Sequence, residues 1–280
     1  MKRILTAIVL IAVVIAIVFV GPPWLLTLSS ALVAGLAVYE FRGLTGQKSV
    51  AMPLWWLIAA VALSLALTLP DTSRDWQLPA LTFLVLLLFA WHGLRSPLER
   101  VLPDTAVGGF ALLYIVYPLS LIPLIRGLED GTGLLTFLFA CVWCGDIAAL
   151  YIGRALGKRK LAPRLSPNKT IEGSIASICG SVAVGMGVYY GGIALEARGF
   201  SVLRITAPAW QMVLLAILLN LAAQLGDLLE SAIKRGAGVK DSGTMLPGHG
   251  GILDRIDALL LAAPVLWYVL LLRDLQGLFR

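Results

Sequence analysis

Long apolar runs joined by short polar connectors set the rhythm of this chain. They fall near residues 4–20, 24–41, 53–69, 77–94, 105–125, 132–152, 174–194, 208–228 and 258–272. Most approach the roughly 20 residues that a helix needs to cross a hydrocarbon core. No segment carries the alternating ten-residue pattern of a barrel strand, and lipid leaves an open sheet edge unsatisfied. The pattern therefore predicts an all-α, polytopic integral membrane protein with about nine transmembrane helices. Pro22-Pro23, Pro53, Pro103, the Gly131/Gly133 pair and Pro208 mark expected breaks between them. The first run follows Lys2 and Arg3 and has the outline of a secretory signal. It is longer than a typical signal core, and Gly21-Pro22-Pro23-Trp24 offers no small-x-small cleavage site. It is read as a retained first transmembrane helix.

Composition supports that solvent assignment. Of the 280 residues, 59% are hydrophobic and 14% charged, with mean hydropathy +0.90, whereas a soluble domain carries about 25% charged residues. No soluble domain fits between the runs. Basic residues then orient the chain. With a cytoplasmic N-terminus, sixteen of the 22 Lys and Arg fall in cytoplasmic segments. The other six are Arg74, Arg126, Arg198, Arg204, Arg273 and Arg280. The bias predicts N-in, C-out. Residues 1–104 read as N-terminal transmembrane helices with short connectors. Residues 105–280 read as a C-terminal catalytic transmembrane domain with two longer cytoplasmic loops, 153–173 and 229–257. Cys141 and Cys144 form a C-x-x-C, but with no second pair or His cluster they are read, like Cys179, as packing residues.

The second loop carries the densest chemistry. Asp227 closes an apolar helix, with Ser231 four residues on and Lys234 seven, all on one helical face. Asp254 and Asp257 share a face at the start of the last apolar run. Carboxylates at the ends of two helices can converge on one hard cation, with a hydroxyl as neutral ligand. Mg²⁺ prefers such oxygen sites and keeps positions open for substrate phosphates. Between the acids lies Pro247-Gly248-His249-Gly250-Gly251, whose backbone amides can approach phosphate oxygens closely. Lys234, Arg235, Lys240 and Arg255 supply charge for a polyphosphate. An ordinary lipid-binding loop would need neither acids at helical spacing nor this many glycines.

The first loop is basic throughout, and Lys158 to Lys160 fit a solvated positive-inside loop as well as a binding site. Ser166-Pro167-Asn168-Lys169-Thr170 differs, because Lys and hydroxyl groups there precede a helix N-terminus that can face a phosphate. It lacks the glycine spacing of a P-loop. Asp146 sits inside the run 132–152, where an acid costs about 2.5–3.5 kcal/mol on insertion scales. It is either a functional acid or a carboxylate paired with Arg154.

The segment Ser231 to Asp257 resembles, position for position, the C-terminal signature of the phosphatidate cytidylyltransferase (CDP-diacylglycerol synthase) family. That signature runs S-x-x-K-R-x-x-x-x-K-D, then P-G-H-G-G-x-x-D-R-x-D. Ser166 to Gly173 is similar to the family's S-P-x-K-T-x-E-G, and Trp143 to Asp146 with Gly153-Arg154 to its W-x-x-D…G-R element. In the first hundred residues only Tyr39-Glu40-Phe41 has a family likeness. Leu150 departs where members often carry tyrosine, although Tyr151 follows directly.

The resemblance implies a cytoplasm-facing polar funnel, a homodimer in the inner (cytoplasmic) membrane, and partners CTP, phosphatidic acid and membrane lipid, with no nucleic acid. It also implies a Mg²⁺ site at Asp227 and Asp254, with Ser231 and Asp257 adjacent, Asp146 auxiliary and a second cation left open. A phosphate nucleophile is already ionised, so a chain with two histidines, His92 and His249, needs no strong base. Lys169, Lys234, Arg235 and His249 would position phosphates, with Ser166, Thr170, Lys240, Gly248, Gly250 and Arg255 completing substrate contacts. The D-x-x-D-G-x-x-A-R motif of CDP-alcohol phosphotransferases is missing, and no repeated halves suggest a transporter.

Overall fold

Each of the apolar runs lies on a helix in the computed structural model, which describes residues 2–46, 52–68, 77–245 and 250–278. The order is α1 (Lys2–Phe19), α2 (Pro23–Gly46), α3 (Leu54–Leu67), α4 (Gln77–Arg95) and α5 (Leu98–Ala111). A π-helical turn (Leu112–Val116) leads straight into α6 (Tyr117–Arg126). Then come α7 (Gly131–Leu156), α8 (Ile171–Glu196), α9 (Ala209–Ala237) and α10 (Leu253–Leu278). Among the described residues, six helical stretches are long and apolar enough to cross a membrane: 23–46, 98–126, 131–156, 171–196, 209–237 and 253–273. The chain is an all-α, multi-pass membrane protein. Helix α3 has 14 residues, about 21 Å at 1.5 Å per residue, short of a hydrocarbon core of about 30 Å.

Proline marks most of the expected starts. Pro53 caps α3, α2 begins at Pro23, and α9 begins one residue after Pro208. Pro103 does not break the chain as expected. Helix α5 starts at Leu98 and runs through Pro103, its sixth residue, which removes one intrahelical bond, the one its N–H would make to the Glu99 carbonyl.

The chain forms two compact units. The first comprises residues 1–17, 21–124 and 233–256. In it α2 packs on α3, α4 on α5, and the π-turn on both α2 and α3. Trp56 is fully buried and donates its indole N–H to the Gly108 carbonyl at 3.2 Å. Leu88, Leu112 and Ile115 are fully buried in the same unit. Arg42, at the end of α2, reaches the Met52 carbonyl at 2.7 Å, just ahead of α3.

The second unit comprises residues 18–20, 125–232 and 257–280. Its main pairing is α7 on α8, close enough that a Cβ at Gly180 would stand 2.7 Å from the Ala148 methyl. Lipid supplies little hydrophobic drive between helices, so close backbone approach and polar contacts hold such pairs. Asn220 of α9 donates to Ser177 Oγ (2.8 Å) and Ser181 Oγ (2.7 Å) of α8. Gln224, one turn on, donates to Asn220 Oδ1 (2.6 Å) and accepts from Ser174 Oγ (2.5 Å). Toward the other end of the unit, Arg204 lies 3.2 Å from Glu129 and 3.8 Å from Asp130, joining the turn before α7 to the segment before α9.

The segment read as a plain loop at 153–173 holds a small hairpin. Strands β1 (Lys160–Ala162) and β2 (Ser166–Thr170) pair antiparallel, Lys160 opposite Thr170 and Ala162 opposite Ser166. Thr170 then caps α8, its hydroxyl accepting from Gly173 N at 3.1 Å. Glu172 accepts from Lys158 N (3.1 Å) and Arg159 N (3.2 Å), closing the hairpin against the end of α7.

Candidate functional site

The sequence-predicted residues gather into two groups, one in each unit. In the second unit Asp227 sits on α9 well before its end, because the helix continues through polar residues to Ala237. Lys169, in β2, reaches it: Nζ lies 2.6 Å from Asp227 Oδ2, with both side chains part-exposed. The hairpin register and the Thr170 cap set the direction of that lysine. Asp146 on α7 lies within electrostatic reach of both Asp227 and Lys169, and Asp257 within reach of Asp227, Glu230 and Asp146. The alternative partner for Asp146, Arg154, is not among its ion pairs. Ser231 is buried one turn beyond Asp227 on the same helix. Ser166 and Thr170 flank Lys169 on β2, with the Thr170 hydroxyl already engaged in the cap.

The first unit holds the other group. Lys234 Nζ sits 2.5 Å from Asp254 Oδ1, both side chains largely buried. Asp254 Oδ2 accepts from Ser242 N (2.9 Å), Ser242 Oγ (2.9 Å) and Gly251 N (2.8 Å). These loop amides therefore serve a carboxylate in this structure. Lys240 and Arg255 are exposed, and Arg235 donates to the Val239 carbonyl at 3.0 Å, closing the end of α9. Gly250 adopts φ +77°, a backbone that glycine tolerates, and a Cβ there would stand 2.8 Å from Asp254 Oδ2. Gly248 and His249 lie outside the described residues.

One residue of this group was assigned no role from the sequence. Glu40 of α2 is buried and accepts from Leu253 N at 2.9 Å and from Ser242 Oγ at 3.2 Å. A charged residue within a mostly apolar run was the available signal. Beside it opens a cavity of about 710 Å³, whose lining includes Tyr39, Glu40, Trp91, His92 and residues 242–245. The ends of α2 and α4 and the approach to α3 thus meet the α9–α10 loop around one space.

The donor set suits a hard cation. Asp146, Asp227 and Asp257 in one unit and Asp254 in the other offer only oxygen, and Mg²⁺ commonly uses one or two carboxylates together with water and substrate phosphates. Among the described residues no three His, Cys, Asp or Glu side chains form a ready-made cage, which such open coordination does not require. Each of the two principal acids instead carries a lysine ammonium.

Acids paired with lysines, Lys169 with Asp227 in the unit that carries the basic hairpin and Lys234 with Asp254 in the other, suit an enzyme class that handles polyphosphates, and comparison gives it a family. Residues 1–273 match the cytidylyltransferase family, and the chain belongs to it. It is 38% identical to a phosphatidate cytidylyltransferase of Brucella suis biovar 1 (strain 1330), over 95% of this chain and 91% of the relative. The phosphatidate cytidylyltransferase of Staphylococcus haemolyticus is 34% identical over 94% of this chain and 96% of its own length. That of Synechocystis sp. is 33% identical over 99% of both.

Proposed function

We propose that this chain is the enzyme that transfers CMP from CTP to phosphatidate, giving CDP-diacylglycerol and pyrophosphate in phospholipid synthesis. A phosphate oxygen of phosphatidate attacks the α-phosphorus of CTP. The bond from that phosphorus to the bridging oxygen breaks, and pyrophosphate carries the electron pair away. The attacking oxygen is already ionised near neutral pH, so no side chain need remove a proton. What remains is to bring two polyanions together and to disperse charge on the leaving group.

One observation carries the reading. Both principal acids are held against lysines, Lys169 on Asp227 and Lys234 on Asp254, so within each pair an anionic and a cationic group of the kinds that a metal–nucleotide substrate requires lie side by side. Asp227 and Asp254 would hold Mg²⁺, with Ser231, Asp257 and Asp146 as supporting oxygens and a second cation open. When bound, the ion supplies Lewis-acid stabilisation of phosphate oxygens. Lys169 and Lys234 would exchange carboxylate for phosphate and orient the CTP chain. Arg235, Lys240, Arg255 and His249 add positive charge for the pyrophosphate, and Ser166, Thr170, Gly248 and Gly250 are assigned to substrate contacts. The cavity beside Glu40 has the size of a small-molecule site, and its aromatic wall suits the nucleoside end of CTP.

The same reading places the enzyme in the inner membrane, N-terminus and both site-bearing loops on the cytoplasmic face, with a polar funnel open to that side. It makes about nine crossings and works as a homodimer. The test is purified protein in phosphatidate-containing vesicles with α-labelled CTP and Mg²⁺. Labelled CDP-lipid with equimolar pyrophosphate is expected; no labelled lipid from an intact, folded sample overturns the reading.

A further inference from the structure

The loop between α9 and α10 closes around a carboxylate drawn from the second helix of the chain. Glu40 is 5% exposed. Its Oε2 accepts from the backbone N–H of Leu253, the first residue of α10, at 2.9 Å and lies 3.2 Å from Ser242 Oγ. Its Oε1 is buried with no hydrogen-bond partner among the described residues. A buried carboxylate is costly unless its bonds are well placed, so its surroundings are informative. A Cβ at Gly243 would stand 2.6 Å from Glu40 Oε1, and one at Gly251 would overlap Ser242 Oγ and Glu40 Oε2. Only glycine fits at either place while Glu40 stays where it is.

Ser242 joins this carboxylate to another. Its Oγ lies 2.9 Å from Asp254 Oδ2 as well as 3.2 Å from Glu40 Oε2. A hydroxyl carries one proton, so it donates to Glu40 or to Asp254 at a given moment. Glu40 and Asp254 therefore compete for a single donor. We infer that Glu40 is a positioning residue for the transfer reaction. It anchors the start of α10 through Leu253 N and draws the Ser242 hydroxyl proton away from Asp254. The Asp254 carboxylate, whose other oxygen Oδ1 faces Lys234 in this structure, is thereby left as a stronger electron donor to the Mg²⁺ it would hold in the working enzyme. This rests on the reading that Asp254 is a metal-binding acid.

The experiment compares full-length wild type with Glu40→Gln, Ser242→Ala, Ser242→Thr, the Glu40→Gln/Ser242→Ala double variant and Asp254→Asn in lipid vesicles. Each is measured for kcat, KM for CTP, the Mg²⁺ concentration at half-activity, and Mn²⁺ binding by electron paramagnetic resonance without substrate. Glu40→Gln should lower kcat/KM about 10–100-fold, the range seen when a group supporting a metal ligand is removed. Mn²⁺ binding should weaken in parallel, with KM for phosphatidate unchanged. The double variant should match Ser242→Ala, since no shared proton is left for Glu40 to bias, and Ser242→Thr, which keeps the hydroxyl, should behave as wild type.

Multiplying losses in the double variant, or unchanged metal dependence in Glu40→Gln, would overturn the inference while leaving the function intact. Near-normal turnover of Asp254→Asn would remove the metal reading and this inference with it. Should Glu40→Gln fail to fold, the contrast between Ser242→Ala and Ser242→Thr decides: equal metal binding in the two rejects the proton link.

Discussion

Lys169 and Asp227 form the clearest pair through which a structural role can be told from a chemical one. Their side chains are 25% and 35% exposed, and ion pairs open to solvent contribute about 0–1 kcal/mol. Lys169→Ala should therefore move the melting temperature by no more than about 2–4 °C. If that lysine passes from carboxylate to nucleotide phosphate, the same variant should lose at least about tenfold in kcat/KM for CTP, which corresponds to 1.4 kcal/mol in the transition state. Steady-state kinetics beside a thermal melt separates the two, and an inactive but unfolded variant would count against the assignment. Asp227→Asn keeps the shape and removes the charge. It should abolish Mg²⁺-dependent pyrophosphate release, and near-normal turnover would reject Asp227 as a metal ligand. At this scale the sequence was readable where residues lie close along the chain. Asp227, Ser231 and Lys234 do share α9, and Asp254 and Asp257 share α10. It was unreadable where the partner is remote. Nothing in the spacing around Glu40 points to Leu253 and Ser242, more than 200 residues on.

Elements were legible where lipid dictates them and less so where it does not. Hydropathy marks where a helix leaves the apolar layer, not where its hydrogen bonding ends. The apolar run 208–228 was therefore shorter than α9, which continues through Leu228-Leu229-Glu230-Ser231-Ala232-Ile233-Lys234-Arg235 to Ala237. Most of those residues favour helix once a helix has begun. The hairpin of β1 and β2 was invisible for the opposite reason, since strands of 3 and 5 residues are too short to show a period. What holds the hairpin is specific: the Thr170 cap and the Glu172 bonds to Lys158 N and Arg159 N. Thr170→Ala should cost about 1 kcal/mol as a lost N-cap and loosen the junction that aims Lys169. Faster hydrogen exchange at the Gly173 amide and a raised KM for CTP, with KM for phosphatidate little changed, are the expected signs. Exchange at wild-type rates would show that the hairpin stands without its cap.

For the molecule as a whole, the question is how the helices thread the bilayer, and two separate lines of reasoning meet there. Charge counting places residues near 42, 48, 95 and 100 and the α9–α10 loop on one face, and those near 126, 198 and 204 on the other. Within the first unit, the end of α2, the approach to α3 and the end of α4 share a cavity with residues 242–245, as common sidedness demands. Within the second, Arg204 meets Glu129 and Asp130, joining two connectors that the charge count assigns to the opposite face. Sharing one end of α2 and α4 requires α3 and α4 to go in and come back as a pair. Helix α3, at about 21 Å, has too few residues to span the core alone, so a full crossing would need snorkelling flanks or local thinning to make up the difference. Single cysteines in a cysteine-free background, replacing Cys141, Cys144 and Cys179, test the threading directly. A cysteine at Ala162 or Thr244 should react with a membrane-impermeant maleimide only in inside-out vesicles, and one at Gly199 only in right-side-out vesicles. A cysteine at Ser73, in the connector from α3 to α4, decides whether that pair crosses. Labelling from the Gly199 side confirms two crossings, whereas labelling from the Thr244 side would reduce α3 and α4 to a re-entrant hairpin and the count of crossings by two.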